Sequence, residues 1–303
     1  ADAAVVNLVR SLFNPVASFS TVFTDNSLSG LVTLNWAVGR DANVYASYSR
    51  GNKSGGLNLA NLPAGFTAEQ ARVRPEKVDA FEVGFKSRFL DQRATFNAAA
   101  FWTDIADYQT AITEIVPNTV STRQYIANIA KVRSRGAEGD LAVSLSDNLS
   151  FTASASYTDA TYVDYANAPQ AAESLNLGAI QDLSGKPLAG VPEFAWSAGV
   201  DAGAPLGELG GRAVRLYGHA DYAHRSSFNT SATNSAWAQV PGFGIANARI
   251  GLKTEDGLFD LSIWARNLFD ADYFLNLSAG NTGAVTAQIG EPRTIGVTLR
   301  TRL

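Results

Sequence analysis

His219 and His224 are the only histidines in the 303 residues, and His219 lies two positions from a carboxylate in the run His219-Ala220-Asp221. In an extended chain, residues two apart share a face, so an imidazole and a carboxylate stand side by side as in a general base and its orienting partner. No nucleophile or oxyanion arrangement can be placed beside them, so no catalytic residue is assigned. Gly51-Asn52-Lys53-Ser54 contains the Gly, Lys and hydroxyl of a phosphate-binding loop. It lacks the preceding glycine spacing and a following helix, and is read as the root of a loop. With two His and no Cys, neither a His-rich metal site nor thiol chemistry is expected. What remains is recognition. Asn52, Lys53, Arg123, Tyr125, His224, Arg225, Phe228 and Trp237 lie in or beside long polar stretches. Aromatics and Arg dominate binding hot spots, which makes these residues the candidate ligand contacts.

Composition narrows the classes further. A net charge of −4 gives no electrostatic case for nucleic acid. No run of 18 apolar residues is present, so no helical membrane span is expected. There is no Met and no visible signal peptide at Ala1, the appearance of a mature or truncated product.

The elements that must position these side chains alternate apolar and polar residues. From Leu258 to Asn267, Phe259, Leu261, Ile263 and Ala265 point one way, and Asp260, Ser262, Trp264 and Arg266 the other. Ile295, Val297 and Leu299 repeat the pattern near the end of the chain. Similar segments carry Leu28 to Val38, Val44 to Tyr48, Phe81 to Phe85 and Ala94 to Trp102. Others run from Arg123 to Leu145, with Gly136 as a bulge, and through Phe151 to Tyr157, Phe194 to Val200, Val214 to Tyr222 and Ala246 to Leu252. About eleven strands result. Their connections alternate in length. Gly39-Arg40-Asp41, Leu90-Asp91-Gln92, Ser146-Asp147-Asn148, Gly207 to Gly211 and Thr254 to Gly257 are short; the stretches 52–77, 105–122, 164–190, 226–241 and 268–291 are long. All long loops therefore share one rim. Strands of about ten residues with this asymmetry predict an all-β, transmembrane antiparallel β-barrel of the outer-membrane type. Tyr48, Trp102, Tyr157, Trp196 and Tyr222 fall near the loop-side ends, where an aromatic girdle belongs. Glu82, Lys86, Arg88, Glu138, Asp140, Arg249, Lys253 and Arg266 fall on the lumen face and predict a wall of mutually cancelling charge.

Several phrases resemble those of TonB-dependent outer-membrane receptors. They are Tyr45 to Gly51 running into Lys53-Ser54-Gly55-Gly56; Pro75-Glu76-Lys77 followed by Phe81 to Lys86; Asn128; and Arg135-Gly136-Ala137-Glu138. Asn267-Leu268-Phe269-Asp270 with Tyr273, and Gly290-Glu291-Pro292-Arg293, complete the set. Two departures are visible. Asn128 is followed by Ile129 and Ala130 where the family often has Gly two residues on, and the final residue is Leu303 rather than an aromatic. The resemblance implies that residues 27–303 are the C-terminal part of a 22-stranded barrel, 11–12 strands in this chain, with 1–26 an N-terminal loop or partial strand. No plug domain or TonB box is recognisable, and Val16 to Phe23 could instead supply a twelfth strand closing a small pore. The implied function is TonB-dependent import of a scarce nutrient, most often a ferric siderophore, with a passive porin or structural barrel as the alternative. The implied partners are the TonB complex, a small nutrient ligand and outer-membrane lipid, with no cofactor and no enzymatic activity.

Overall fold

In the computed structural model, residues 21–58, 67–69, 71–115, 122–280 and 283–302 are described. Eleven antiparallel strands form one contiguous sheet in chain order. They are β1 (Gly30–Ala37), β2 (Ala42–Lys53), β3 (Glu76–Phe89), β4 (Ala94–Ile115), β5 (Thr122–Ser146), β6 (Leu149–Asp164), β7 (Phe194–Leu209), β8 (Arg212–Arg225), β9 (Phe243–Thr254), β10 (Phe259–Arg266) and β11 (Thr294–Thr301).

The apolar residues fall in continuous rows across the pairings. One row runs Leu34, Ala46, Val83, Ala100, Ala137 and Tyr157. Another runs Phe96, Leu141, Ala153, Ala198, Tyr222 and Ala246, and a third Ile250, Ile263 and Val297. A slip of one residue in any pair would move a strand's apolar set to the opposite face, so the rows pin the register. On this face large apolar side chains stand in the open: Val83 is 57%, Ile263 54% and Val297 66% exposed. A water-soluble fold would cover them. The opposite face is concave, because one cavity is lined from eight successive strands, β2 to β9.

Short turns close one rim. β7 and β8 meet at Gly210-Gly211, with φ 61 and 74, the left-handed pair that a two-residue hairpin turn requires. The preceding residues Gly207 to Leu209, read from sequence as part of the turn, belong to β7. Three further expectations change. Gly136 is not a bulge: the β5–β6 register shifts at Lys131/Val132 and at Ser144/Ser146. A Cβ on Gly136 would instead lie 1.9 Å from the Tyr157 carbonyl oxygen and 2.8 Å from the Phe101 ring, so close approach explains the glycine. The stretch 105–122 is largely strand, since β4 continues to Ile115. It is held there because Ile105, Tyr108 and Ile112 pack against a loop-side core of Ile129, Val132, Tyr162, Tyr165, Ala168 and Leu183. Of the supposed strand Val16 to Phe23, residues 16–20 lie outside the described residues, and 21–23 are not in a strand.

β6 outruns β7, leaving its loop-side edge without a strand neighbour. The long β6–β7 connection fills it: Thr158 N–H donates to Glu193 O at 2.8 Å, Leu188 N–H to Ala160 O at 2.8 Å and Tyr162 N–H to Lys186 O at 3.0 Å. Backbone groups that would otherwise remain unpaired are thereby satisfied. Among the described residues, β1 pairs only with β2 and β11 only with β10, so the sheet is open at both ends.

Candidate ligand-binding rim and lumen

The concave face is polar because every second residue of the same strands points there. Its groove, about 880 Å³, is lined by Tyr45, Lys86, Asn97, Glu138, Asp140 and Ser154 on one side and Ser197, Arg225, Phe243 and Ile245 on the other. Several of its charged groups are held by polar or aromatic neighbours. The Tyr45 hydroxyl donates to Glu82 at 2.6 Å, Asn97 to Asp140 at 2.9 Å, Asn247 to Asp221 at 2.8 Å and Tyr217 to Asp260 at 2.6 Å. Arg249 donates to Ser262 at 2.7 Å, Lys253 lies 5.3 Å from the Tyr217 ring and Arg266 5.5 Å from the Trp264 ring. The expectation of mutual ion pairing is thus corrected: among the described residues, none of the eight wall charges bridges to another. Tyr45, Asn97, Ser262 and Tyr217 on adjacent strands reach Glu82, Asp140, Arg249 and Lys253 instead.

His219 does face Asp221, 3.3 Å from its Nε2, but its Nδ1 meets Asp201 at 2.8 Å. A carboxylate thus stands at each ring nitrogen, and no nucleophile is placed beside the pair among the described residues.

At the rim, register splits the candidate pairs. Arg225 belongs to the inward row, opposite Phe243, with its guanidinium 5.0 Å from that ring. Phe243 in turn stacks on Tyr273 at 4.6 Å. His224, one residue earlier, falls on the outward row beside Trp196, ring centroids 6.1 Å apart. Lys53 donates to buried Glu76 at 2.9 Å, and Asn52 sits opposite Lys77. Tyr125 is half-buried opposite Ile112, and Arg123 pairs with Glu114 through its backbone; the Arg123 side chain lies outside the described residues. Phe228 is buried, 7% exposed, whereas Trp237 is 40% exposed. Sequence reasoning missed Phe243 and Tyr273. Their spacing from Arg225 carries no signal, because strand pairing and a loop return bring them together.

Three of the quoted phrases prove to be clasps. Buried Asn267 donates to Ala271 O at 2.9 Å and Glu291 O at 3.0 Å, and accepts from Ala271 N–H at 2.8 Å. Arg293 N–H donates to Asp270 at 2.9 Å, and the Tyr273 ring lies flat where a Cβ on Gly290 would be. Asn128 likewise accepts from Arg74 N–H at 2.7 Å and donates to Arg74 O and Asp107 O at 2.8 and 2.6 Å. The root of the β2–β3 connection is thus tied to β4 and β5.

Three loops are bound to each other above the mouth. Glu173 accepts from Ser235 Oγ at 2.7 Å and Ala236 N–H at 2.5 Å, Gln181 donates to Thr233 O at 2.8 Å and Leu277 N–H donates to Thr230 Oγ1 at 3.3 Å. Burial pushes the Glu173 carboxyl up, but the hydrogen bonds from Ser235 and the backbone outweigh it and hold the group below the ordinary glutamate value.

A family model described as "TonB dependent receptor-like, beta-barrel" matches residues 9–268. The chain is 27% identical over 293 residues to the catecholate siderophore receptor Fiu of Escherichia coli (strain K12), covering 93% of this chain and 34% of Fiu. It therefore spans about a third of the length of the curated relatives it matches. Among solved structures, it resembles the ferric yersiniabactin uptake receptor FyuA from Yersinia pestis, with a TM-score of 0.66, 18% identity, and coverage of 90% of this chain and 37% of FyuA. It also resembles the copper transporter OprC, with a TM-score of 0.59, 16% identity, and coverage of 89% of this chain and 38% of OprC.

Proposed function

Because the chain belongs to the TonB-dependent receptor β-barrel family, we propose that it forms the loop-bearing barrel portion of a receptor that imports a scarce nutrient with energy from the TonB complex. The family is one of transporters and not of enzymes, and the chain is part of an integral β-barrel of the bacterial outer membrane. The observation that carries the proposal is the match over residues 9–268 together with long connections on one rim, three of them bound into one body above a polar lumen. Loops on a rigid scaffold are the usual carriers of recognition.

The two free edges support a larger barrel. An open edge of N–H and C=O groups has no hydrogen-bonding partner in hydrocarbon, so β1 and β11 each require a neighbour. Upstream strands of a 22-stranded barrel would supply both, and a plug in the lumen would meet the polar wall.

For cargo we favour a ferric siderophore. Fiu and FyuA are receptors for such complexes by name, while OprC is a copper transporter. The Arg225–Phe243–Tyr273 stack adds a cation and aromatic area, which suit an anionic, amphiphilic chelate. Lys53, Arg123, Tyr125 and Trp237 remain candidate contacts, whereas buried Phe228 and the outward-facing Asn52 and His224 do not face the cargo.

The test is uptake of radiolabelled ferric catecholate, ferric hydroxamate and cupric ion by cells lacking their own receptors and producing this one, with and without TonB. TonB-dependent accumulation of an iron chelate supports the proposal, and Arg225→Ala should then weaken binding about tenfold. Cupric uptake would overturn the cargo. Passage of small solutes independent of TonB would overturn the receptor reading in favour of a porin.

A further inference from the structure

The inward positions of the sheet are not evenly charged. Along β8 to β11 they carry Arg225, Arg266, Arg249, Lys253, Arg215 and Arg300 against two carboxylates, Asp221 and Asp260. Along β3 to β7 the sign reverses, and Glu82, Glu138, Asp140 and Asp201 outnumber Lys86 and Arg88.

The cations form a series along the lumen and not a patch. Arg225 stands at the loop rim opposite Phe243. Arg266 lies level with Asn247, four residues further along β9, and Arg249 follows two residues on. Lys253 comes four residues later, beside the short turn, with Arg215 and Asp260 opposite it and Arg300 opposite Asp260. A strand rises about 3.3 Å per residue, so successive levels are roughly 7–13 Å apart. That spacing is close to the screening length of about 8 Å at physiological salt, so the field of one level reaches the next.

Their partners leave this charge standing. Arg249 is held by the Ser262 hydroxyl at 2.7 and 2.9 Å. Arg225, Lys253 and Arg266 lie against the rings of Phe243, Tyr217 and Trp264 at 5.0, 5.3 and 5.5 Å. Among the described residues Arg300 has no side-chain partner, and of the six cations only Arg215 meets a carboxylate, Glu255 at 3.7 Å. Arg225, Arg266, Lys253 and Arg300 are exposed.

We propose that these residues form a cationic track that conducts an anionic cargo from the Arg225–Phe243–Tyr273 stack toward the short-turn rim. The assignment rests on the transport reading and extends it from capture to passage. Continuity selects the occupant: the series begins at the stack proposed for the cargo, descends one wall and ends beside the opposite rim. Arg and Lys lining a pore favour anions, and a cleft lined by one sign of charge raises the local concentration of the opposite one.

The test uses the full receptor in cells lacking their own receptors, with radiolabelled ferric catecholate, an anionic chelate, as the probe. Surface binding without TonB gives Kd, and accumulation with TonB gives the rate at saturation. Lys253→Gln/Arg300→Gln removes two charges and, among the described residues, no side-chain hydrogen bond. It should leave Kd unchanged and slow saturated uptake at least about fivefold. Adding Arg249→Gln should slow uptake further. Lys253→Arg/Arg300→Lys keeps the charge and should transport at the unsubstituted rate. Arg212→Gln, on the outward row and paired with Asp256, should change neither quantity. Unslowed uptake in the folded neutral variants, or an equal loss in the charge-retaining pair, would overturn the track. Leakage of small solutes through the neutral double variant, with uptake unslowed, would instead assign these cations to holding a plug. A second readout needs no cargo: the reversal potential in a KCl gradient across planar bilayers containing the receptor, with any plug loosened by urea. The double variant should lower the chloride-to-potassium permeability ratio at least about twofold, and an unchanged ratio would overturn the track. A lowered ratio with no TonB-dependent uptake of any chelate would overturn the transport reading and leave an anion-favouring wall.

Discussion

Along β6, Ala153 stands on the outward row between Leu141 and Ala198, while Ser154, the next residue, faces the lumen with its hydroxyl 2.8 Å from that of Ser197. One strand thus serves two solvents. Its outward side chains are stable because hydrocarbon replaces water around them, and inward Ser154 because it finds a polar neighbour on the adjacent strand. Hydrophobic burial inside the protein contributes little on either side of the sheet. Among the described residues, a packed apolar core lies at the loop end, around Val132, Tyr162, Tyr165 and Leu183.

The largest effect expected is from charging the outward face. Ala153→Arg should destabilise the barrel by ~2–4 kcal/mol, whereas Ser154→Arg one residue away should cost below about 1 kcal/mol. Equilibrium unfolding from phosphatidylcholine vesicles measures both; equal costs would break the two-solvent comparison.

A smaller effect tests where the inner face is packed and not hydrated. Gly136→Ala directs a methyl at the Tyr157 carbonyl and should cost about 1–3 kcal/mol by overpacking. The same substitution at Gly51, with nothing within 4 Å, should be far milder. Matching unfolding midpoints for the two variants would show that the glycine at 136 is not there for closeness.

Tyr45→Phe removes the donor to Glu82 and should cost about 0.5–1.5 kcal/mol if water can reach the carboxylate. A loss above about 3 kcal/mol, the range for an uncompensated buried charge, would mean that this part of the wall is dry in the assembled barrel.

The smallest effect concerns the loops. The Glu173 carboxyl is held below its ordinary value, so its clasp is fully present above the ordinary glutamate pKa and is lost as pH falls through the lowered one. Limited proteolysis of the 165–193 and 226–242 connections should therefore accelerate only in that acid range. Glu173→Gln should make cleavage fast at neutral pH as well; a flat profile in the unsubstituted protein would remove Glu173 from the clasp.

Much of the sheet was legible because alternation has a period of two, and burial in lipid demands it on every strand: Phe259 to Ala265 and Ile295 to Leu299 announce themselves. Short turns were legible where Gly, Asn and Asp cluster. The loop-side end of β4 was not, because Ile105, Tyr108 and Ile112 are strand residues held by a loop packed on them, a contact with no local signature. The rim candidates shared a region of sequence but not a face, since His224 and Arg225 are consecutive and must point apart.

By itself, then, the sequence determined strand number, chain order, the rim that carries the long loops and the face that meets lipid. All four follow from local periodicity and turn chemistry. Tertiary structure alone decided which side chains meet across strands. It placed Phe243 and Tyr273 with Arg225, gave His219 two carboxylates and put Lys77 beside Lys131 across Ala106. Those neighbours are separated along the chain by strand lengths and loop returns, and only the hydrogen-bond register converts such separations into distances.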